Sequence, residues 1–199
     1  LSPEGIMQFG WHQAPEGMYY FADTGAMSTG WLTLADQKTY HFDETNGLLS
    51  VSTFVTTNGV KFYVDTDGSM VRGFKNINGA NYYFAPDGAM QTGFIPVDGN
   101  YYYFNGDGIM QVGWQEIGGQ KFYFDPATGI MQTGLISDGT GQYYLAANGA
   151  ATTGWQEIDG KRYHFDETTY AMNVNTIVTT NGVPFFVGID GTMQTGWQN

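Results

Sequence analysis

Short alternating runs of apolar and polar residues recur along the chain, separated by turn-forming pairs. In one unit, Phe94-Ile95-Pro96-Val97 predicts a strand, Asp98-Gly99 a tight turn, and Tyr101-Tyr102-Tyr103-Phe104 the return strand. The glycine supplies the positive φ that the turn of a two-residue hairpin requires. No stretch shows the period of an amphipathic helix. Each unit therefore predicts one β-hairpin followed by a connector.

The units recur at a nearly constant spacing of 20 to 23 residues. Each begins at a landmark position, which usually follows a glycine and holds a large apolar residue. All five Trp fall on the landmark, and eight of the nine Met fall on a second position in the connector. The landmarks are residues 11, 31, 54, 74, 94, 114, 135, 155, 177 and 197. Such periodicity predicts stacked repeats with a shared core, and residues 1–199 form a single array in this interpretation.

A longer repeat is superimposed on the short one. The segment His41-Phe42-Asp43-Glu44-Thr45 returns 123 residues later as His164-Phe165-Asp166-Glu167-Thr168. This distance equals six units, which indicates that a block of six was duplicated. Both ends of the sequence cut through a unit, so we expect the array to be truncated at both ends and to be one segment of a larger multidomain protein.

Alternation along the return strand assigns its faces. If the four residues of each return strand are numbered in order, position two is always aromatic and position four is always apolar, so both are expected to face the core. Position three carries a ring in every unit and is expected to point outward, as an array of exposed rings of the kind that marks a binding surface. The predicted fold is all-β: an elongated β-solenoid of about nine stacked hairpins.

Composition excludes several functional classes. Only seven residues are Lys or Arg, and the net charge is -12, so nucleic acid is not an expected partner. The chain contains no Cys, which rules out disulfides and thiolate metal sites. No apolar run approaches the ~18 residues of a membrane span, so membrane insertion is not expected. The acidic charge suits a neutral glycan better than an anionic polymer.

The residues that could carry chemistry have simpler roles. His41 and His164 occupy the same repeat position, which favours a scaffold role. The Asp-Gly pairs follow the repeat period and lack clustered acidic ligands, so they are turns rather than calcium sites. The neighbouring Asp43 and Glu44 would face opposite sides of a strand, unlike a glycosidase pair. We therefore expect no catalytic residue, no metal and no cofactor.

Two runs of residues resemble a known superfamily. Residues 154–165 (GWQEIDGKRYHF) and 129–134 (GIMQTG) are similar to bacterial cell-wall-binding repeats. That superfamily includes choline-binding repeats, the glucan-binding repeats of glucansucrases and the C-terminal repeats of the large clostridial toxins. The resemblance covers essentially the whole chain. It implies a solenoid of hairpins with ligand pockets between neighbours, in a secreted or cell-surface bacterial protein.

The resemblance also allows the residues of a choline-binding pocket to be compared with those of this chain. In choline-binding members, the landmark Trp, an aromatic residue at position one and a position-three Tyr of the next hairpin enclose a quaternary ammonium group through cation–π contacts. Here Tyr101 is the only aromatic residue at position one, and Lys or Arg fills that position in several units. The sequence therefore predicts at most one choline-type pocket, formed by Phe94, Tyr101 and Tyr123.

The remaining candidate residues point to a polysaccharide or cell-wall glycan as the partner. Aromatic faces stack on sugar rings, and amide side chains bond to hydroxyl groups. Many weak equivalent sites on one array would gain by effective concentration. A structural spacer, with the rings buried between hairpins, is the rival interpretation, and the landmark Trp residues could serve either role. The candidate carbohydrate-binding residues are Trp11, Trp31, Trp114, Trp155, Trp197, Tyr83, Tyr103, Tyr123, Tyr144, Gln91, Gln111 and Gln132.

Overall fold

The computed structural model describes residues 7–195, and this part of the chain is all-β, which confirms the predicted fold class. Eighteen strands form nine antiparallel two-stranded sheets, each a hairpin of consecutive strands. We number them hairpins 1 to 9. The hairpins are β1 (Gly10–Ala14) with β2 (Gly17–Phe21), β3 (Gly30–Thr33) with β4 (Thr39–Phe42), β5 (Thr53–Thr57) with β6 (Val60–Val64), β7 (Gly73–Ile77) with β8 (Ala80–Phe84), β9 (Gly93–Val97) with β10 (Asn100–Phe104), β11 (Gly113–Ile117) with β12 (Gln120–Phe124), β13 (Gly134–Ser137) with β14 (Gln142–Leu145), β15 (Gly154–Ile158) with β16 (Lys161–Phe165), and β17 (Thr176–Thr180) with β18 (Val183–Val187).

The described residues divide into two compact units. The first contains residues 7–93 and 104–110, and hence hairpins 1 to 4. The second contains residues 94–103 and 111–195, and hence hairpins 6 to 9 and most of hairpin 5. The contacts described below lie within one unit or the other. The interpretation of residues 1–199 as a single array stays a prediction.

The hairpin turns have the predicted geometry where the sequence carries Asn-Gly or Asp-Gly. At Asp98-Gly99, φ is 50° and then 80°, and at Asn78-Gly79 it is 52° and then 87°. Two successive positive φ values are the signature of the primed turn that matches the twist of paired strands.

Position four of the return strand forms the core, as the alternation predicted. The eight large side chains that are fully buried all occupy it. Phe84 packs with Tyr63 and Val71 in the first unit, and Phe124 with Phe122 in the second. The eight are Phe42, Val64, Phe84, Phe104, Phe124, Leu145, Phe165 and Val187.

The expectation that position three carries exposed rings is wrong. Tyr83, Tyr103, Tyr123 and Tyr144 are all half-buried, and Tyr63 is buried. The reason is the next hairpin, which lays its position-four residue against them. Tyr83 lies 6.3 Å from the ring centroid of Phe104, Tyr103 lies 6.1 Å from Phe124, and Tyr144 lies 6.1 Å from Phe165. Both faces of a return strand therefore contribute to the apolar interior.

The connectors join each hairpin to the one before it. Met131 follows hairpin 6, and its N–H donates to the carbonyl oxygen of Tyr101 in hairpin 5, at 2.8 Å. The side chain of Met90 lies against Gly108 of the following connector. These two contacts, repeated along the chain, couple neighbouring hairpins through both backbone and side chain.

Two units, those with landmarks at residues 54 and 177, lack the glycine before the landmark, and both compensate for it in the same way. Thr53 and Thr176 stand where other units have a glycine at positive φ. The positive φ moves one residue earlier, to Ser52 at 49° and to Asn175 at 46°. Their N–H groups donate to the carbonyl oxygens of Asp65 and Gly188, each at 3.0 Å. The two copies of the six-unit block thus share this backbone conformation as well as their sequence.

Candidate ligand-binding site

Landmark rings of the described hairpins pack between two other rings, as Trp31 and Phe94 illustrate. Trp31 lies 4.8 Å from His41 of its own hairpin and 5.2 Å from Phe62, at position two of the next hairpin. Phe94 lies 5.0 Å from Tyr103 and 5.2 Å from Phe122 in the same relation. Phe94 nevertheless stays 38% exposed. A landmark ring is therefore part of the scaffold on one side and part of the surface on the other.

A cavity of about 540 Å³ opens on the exposed side of Phe94. We call it the ring cavity. Phe94, Tyr101 and Phe122 supply three aromatic walls, and Tyr101 is 50% exposed. Its volume is in the usual range for small-molecule sites. None of the residues that line it is charged. The other lining residues are Gly99, Asn100, Met131, Thr133, Ala147 and Asn148.

The third wall of this cavity is not the residue that the sequence indicated. Tyr123 lies against Trp114 of its own hairpin, with ring centroids 5.1 Å apart, and does not line the cavity. Phe122, at position two, faces back toward Phe94 instead. Position two had been assigned wholly to the core because it is aromatic in every unit. The aromatic residue that every unit has at position two also forms a wall shared with the landmark ring of the preceding hairpin.

A second opening of about 420 Å³ lies beside Trp114, and we call it the Trp114 cleft. Its walls combine rings with charged and polar groups. The indole Nε1–H of Trp114 donates to Oδ2 of Asp138 at 2.8 Å, and the ring lies 4.8 Å from Tyr143. Lys121 places its ammonium 4.5 Å from the ring centroid of Tyr170. Gln115, Glu116 and Thr169 complete the lining.

Asp138 is held in its charged form. Partial burial raises the pKa of this carboxyl, but the hydrogen bonds from Trp114, from Thr140 and from the backbone N–H groups of Thr140 and Gly141 outweigh it. The pKa of Asp138 therefore lies well below its usual value. The cleft accordingly presents a fixed negative charge that accepts hydrogen bonds beside an aromatic face.

Trp31 and Trp155 are fixed by equivalent bonds. The Nε1–H of Trp31 donates to Oγ1 of Thr57 at 3.0 Å, and that of Trp155 to Oγ1 of Thr180 at 2.9 Å. The acceptor in each case lies in the first strand of the next hairpin. These Trp–Thr pairs lie six units apart, so the duplicated block keeps a contact between hairpins.

The two repeated histidines are part of the same scaffold. His41 and His164 are both buried, and each packs on the landmark Trp of its hairpin. Nδ1 of His41 lies 2.9 Å from Oγ of Ser50, and Nδ1 of His164 lies 2.7 Å from Oδ1 of Asn173. Burial lowers the pKa of His41, so the neutral ring is favoured there.

Several predicted carbohydrate-binding residues lie elsewhere. The side-chain amides of Gln91 and Gln132 donate to backbone carbonyl oxygens of their own connectors, at 3.0 and 3.1 Å. Gln91, Gln111 and Gln132 line neither the ring cavity nor the Trp114 cleft. Trp197 lies outside the described residues. Of the predicted residues, Phe94 and Tyr101 line the ring cavity, and Trp114 lines the Trp114 cleft.

No cluster of metal ligands occurs between residues 7 and 195. No group of three or more His, Cys, Asp or Glu side chains there could hold a metal ion. That same part of the chain contains no helix long and apolar enough to cross a membrane.

Comparison with protein-family models identifies the repeats. The model described as a choline-binding repeat matches residues 9–54, 71–112, 91–131 and 111–153. The model described as a putative cell wall binding repeat matches residues 52–70 and 153–168. A search of curated proteins by sequence finds no match.

Several solved structures with the same fold come from Streptococcus pneumoniae. CbpJ is 27% identical, with a TM-score of 0.82 over 95% of this chain and 72% of its own. Choline binding protein F, solved in the presence of a peptidoglycan analogue, is also 27% identical, with a TM-score of 0.80 over 96% of this chain and 72% of its own. The choline-binding domain of CbpL, at 24% identity and a TM-score of 0.66, shares the fold over 96% of this chain and all of its own.

Proposed function

Because this chain belongs to the choline-binding repeat family, we propose that it is a non-catalytic module that binds cell-wall polymers, and that its principal ligand is a quaternary ammonium group such as choline. The observation that carries the proposal is the ring cavity. It combines three aromatic walls with an uncharged lining, in a protein of net charge -12.

The physical basis is the attraction between a cation and the faces of aromatic rings. A cation within about 6 Å of a ring centroid gains roughly 0.5–2 kcal/mol per ring, more when water is excluded. Methyl groups on the ammonium also bury apolar surface against Phe94, Phe122 and Met131. No lysine or arginine lines the cavity to oppose the ligand. A single site of this kind is weak, so several modules or repeats on one polymer would bind by multivalency.

Replacing Tyr101 by Ala is expected to lower the affinity for choline about tenfold. The side chain is half exposed, so its loss removes one wall of the ring cavity and leaves the core intact. Titration with choline chloride by isothermal calorimetry measures the effect, and Tyr101→Phe, which keeps the ring, is the matched control with affinity near that of the unaltered protein. Failure of the unaltered protein to bind choline saturably would refute the proposal and favour a spacer role.

A saccharide is a second candidate ligand, and the Trp114 cleft favours it. Stacking on a sugar needs an aromatic face, and its hydroxyl groups need donors and acceptors nearby. Trp114, Asp138 and Glu116 offer an aromatic face and acceptors together, and Lys121 adds a donor in the same cleft. The module would then hold the ammonium groups and the glycan of a cell-wall polymer at separate places.

Replacing Trp114 by Ala is expected to weaken glycan binding by about 1–3 kcal/mol, by analogy with the stacking of bases on aromatic side chains. The measurement is a titration with choline-free isomalto- and chito-oligosaccharides. Choline binding should be unchanged in this variant, and glycan binding should be unchanged in Tyr101→Ala. If neither oligosaccharide series binds the unaltered protein, the cleft is not a glycan site.

We place the module at the outer surface of a bacterial cell, as part of a larger secreted protein. Cell-wall polymers lie outside the membrane, and repeats of this family occur in pneumococcal choline-binding proteins. The binding proposed here needs neither a metal nor a cofactor. Any enzymatic activity would belong to other parts of the same protein.

A further inference from the structure

Hairpins 5 and 8 present the same pair of rings to the hairpin that follows. Phe94 lies 5.2 Å from Phe122, with an angle of 65° between the ring planes. Trp155 lies 5.5 Å from Phe185, with an angle of 75°. In both pairs the first ring is a landmark and the second is position two of the next hairpin. Two walls of the ring cavity therefore have counterparts at Trp155, as they have at other landmark rings such as Trp31.

The backbone at position one is held alike in the two hairpins. The N–H of Met131 donates to the carbonyl oxygen of Tyr101 at 2.8 Å, and the N–H of Met193 donates to that of Arg162 at 2.7 Å. Tyr101 and Arg162 thus project from equivalent places. The third wall of the ring cavity has an arginine as its counterpart at Trp155.

The guanidinium of Arg162 occupies the face of the landmark ring. Its Cζ lies 5.1 Å from the ring centroid of Trp155, within the range of a cation–π contact. Among residues 7–195, no carboxylate forms an ion pair with it. Lys121, at position one of hairpin 6, behaves differently and lies over Tyr170 of a distant connector. The contact at Trp155 is therefore a feature of Arg162, not of every basic residue at this position.

We propose that Arg162 acts as a built-in cation that closes a second quaternary-ammonium site, formed by Trp155 and Phe185. The inference rests on the proposed function of the ring cavity. The guanidinium covers the ring face that an external cation would use, and its charge repels that cation. The side chain at position one of hairpin 8 thereby determines whether this pair of rings accepts a cationic ligand.

The test exchanges the two position-one residues. Arg162→Tyr is expected to raise the number of choline molecules bound per chain by one, and Tyr101→Arg to lower it by one. The doubly exchanged chain should return to the original number. Isothermal calorimetry with choline chloride gives the stoichiometry. Additional quenching of tryptophan fluorescence by choline, expected in Arg162→Tyr and lost again in Arg162→Tyr/Trp155→Phe, locates the new site.

The control is Arg162→Lys, which keeps a cation and should leave the number of sites unchanged. If Arg162→Tyr keeps its circular dichroism spectrum and gains no site, the inference is wrong. If that variant does not fold, Arg162→Gln replaces it, and choline must then quench tryptophan fluorescence more strongly than in the unaltered protein, an increase that Arg162→Gln/Trp155→Phe must lose. An unaltered protein that binds no choline contradicts the proposed function alone, since a gain of binding in Arg162→Tyr would still support the role of Arg162.

Discussion

Replacing Phe124 by Ala is expected to lower the free energy of unfolding by about 3–5 kcal/mol, the usual cost of removing a fully buried phenylalanine. The side chain has no solvent exposure. Its ring lies 6.2 Å from Phe94 and 6.1 Å from Tyr103, both of the preceding hairpin. Its loss would leave a cavity between two hairpins, and each hairpin alone buries too little apolar surface to be stable. Urea denaturation followed by circular dichroism measures the change.

The same substitution at Phe94 provides the comparison. Phe94 is 38% exposed, so Phe94→Ala removes less buried surface and should cost about half as much. Choline binding should be weakened more by Phe94→Ala than by Phe124→Ala, because Phe94 lines the ring cavity and Phe124 does not. Equal losses of stability in the two variants would show that the landmark ring is as much a core residue as position four.

Position four could be assigned to the core from the sequence because the alternation that sets its face belongs to one hairpin alone. Alternation in a return strand places Phe104 and Tyr102 on one side and Tyr103 on the other, whatever surrounds them. What covers the second side depends on how each hairpin is rotated against the next. No period in the sequence encodes that rotation, so Tyr103 was expected at the surface although Phe124 covers it.

The same limit explains the result at the ring cavity. Phe94 and Tyr101 belong to one hairpin, and their proximity follows from strand pairing. The third wall comes from the next hairpin, so the choice between Phe122 and Tyr123 depends on how that hairpin is rotated against hairpin 5. The Trp114 cleft was beyond prediction for a similar reason. Asp138 lies in an irregular turn, and only the folded chain shows that it accepts the hydrogen bond of the indole.

The scaffold and the binding surface share their rings, and this sharing constrains both. A landmark ring is held by two neighbours and offers its remaining face to ligand or to position one. Tyr101 leaves the face of Phe94 to a cavity, whereas Arg162 covers the face of Trp155. We therefore expect ligand preference to change through position one alone, because that side chain contributes little to the core.

Replacing Gly108 by Ala is expected to lower the free energy of unfolding by about 2–5 kcal/mol. The φ of Gly108 is 82°, which costs an L-residue about 1–2 kcal/mol. A Cβ there would also lie 2.6 Å from Sδ and 2.7 Å from Cε of Met90, so the thioether that joins two connectors would have to move. Overpacking of this kind typically adds about 1–3 kcal/mol. Thermal and urea unfolding of the variant measure the loss.

Gly79 separates the two contributions to this loss. Its φ is 87°, close to that of Gly108, but no atom lies within 4 Å of the place of a Cβ. Gly79→Ala should therefore cost only about 1–2 kcal/mol, the conformational part. The double variant Gly108→Ala/Met90→Ala should be more stable than the sum of its single variants indicates, because shortening Met90 removes the clash. If Gly108→Ala costs no more than Gly79→Ala, or if the double variant is strictly additive, the contact between Met90 and Gly108 does not couple the connectors.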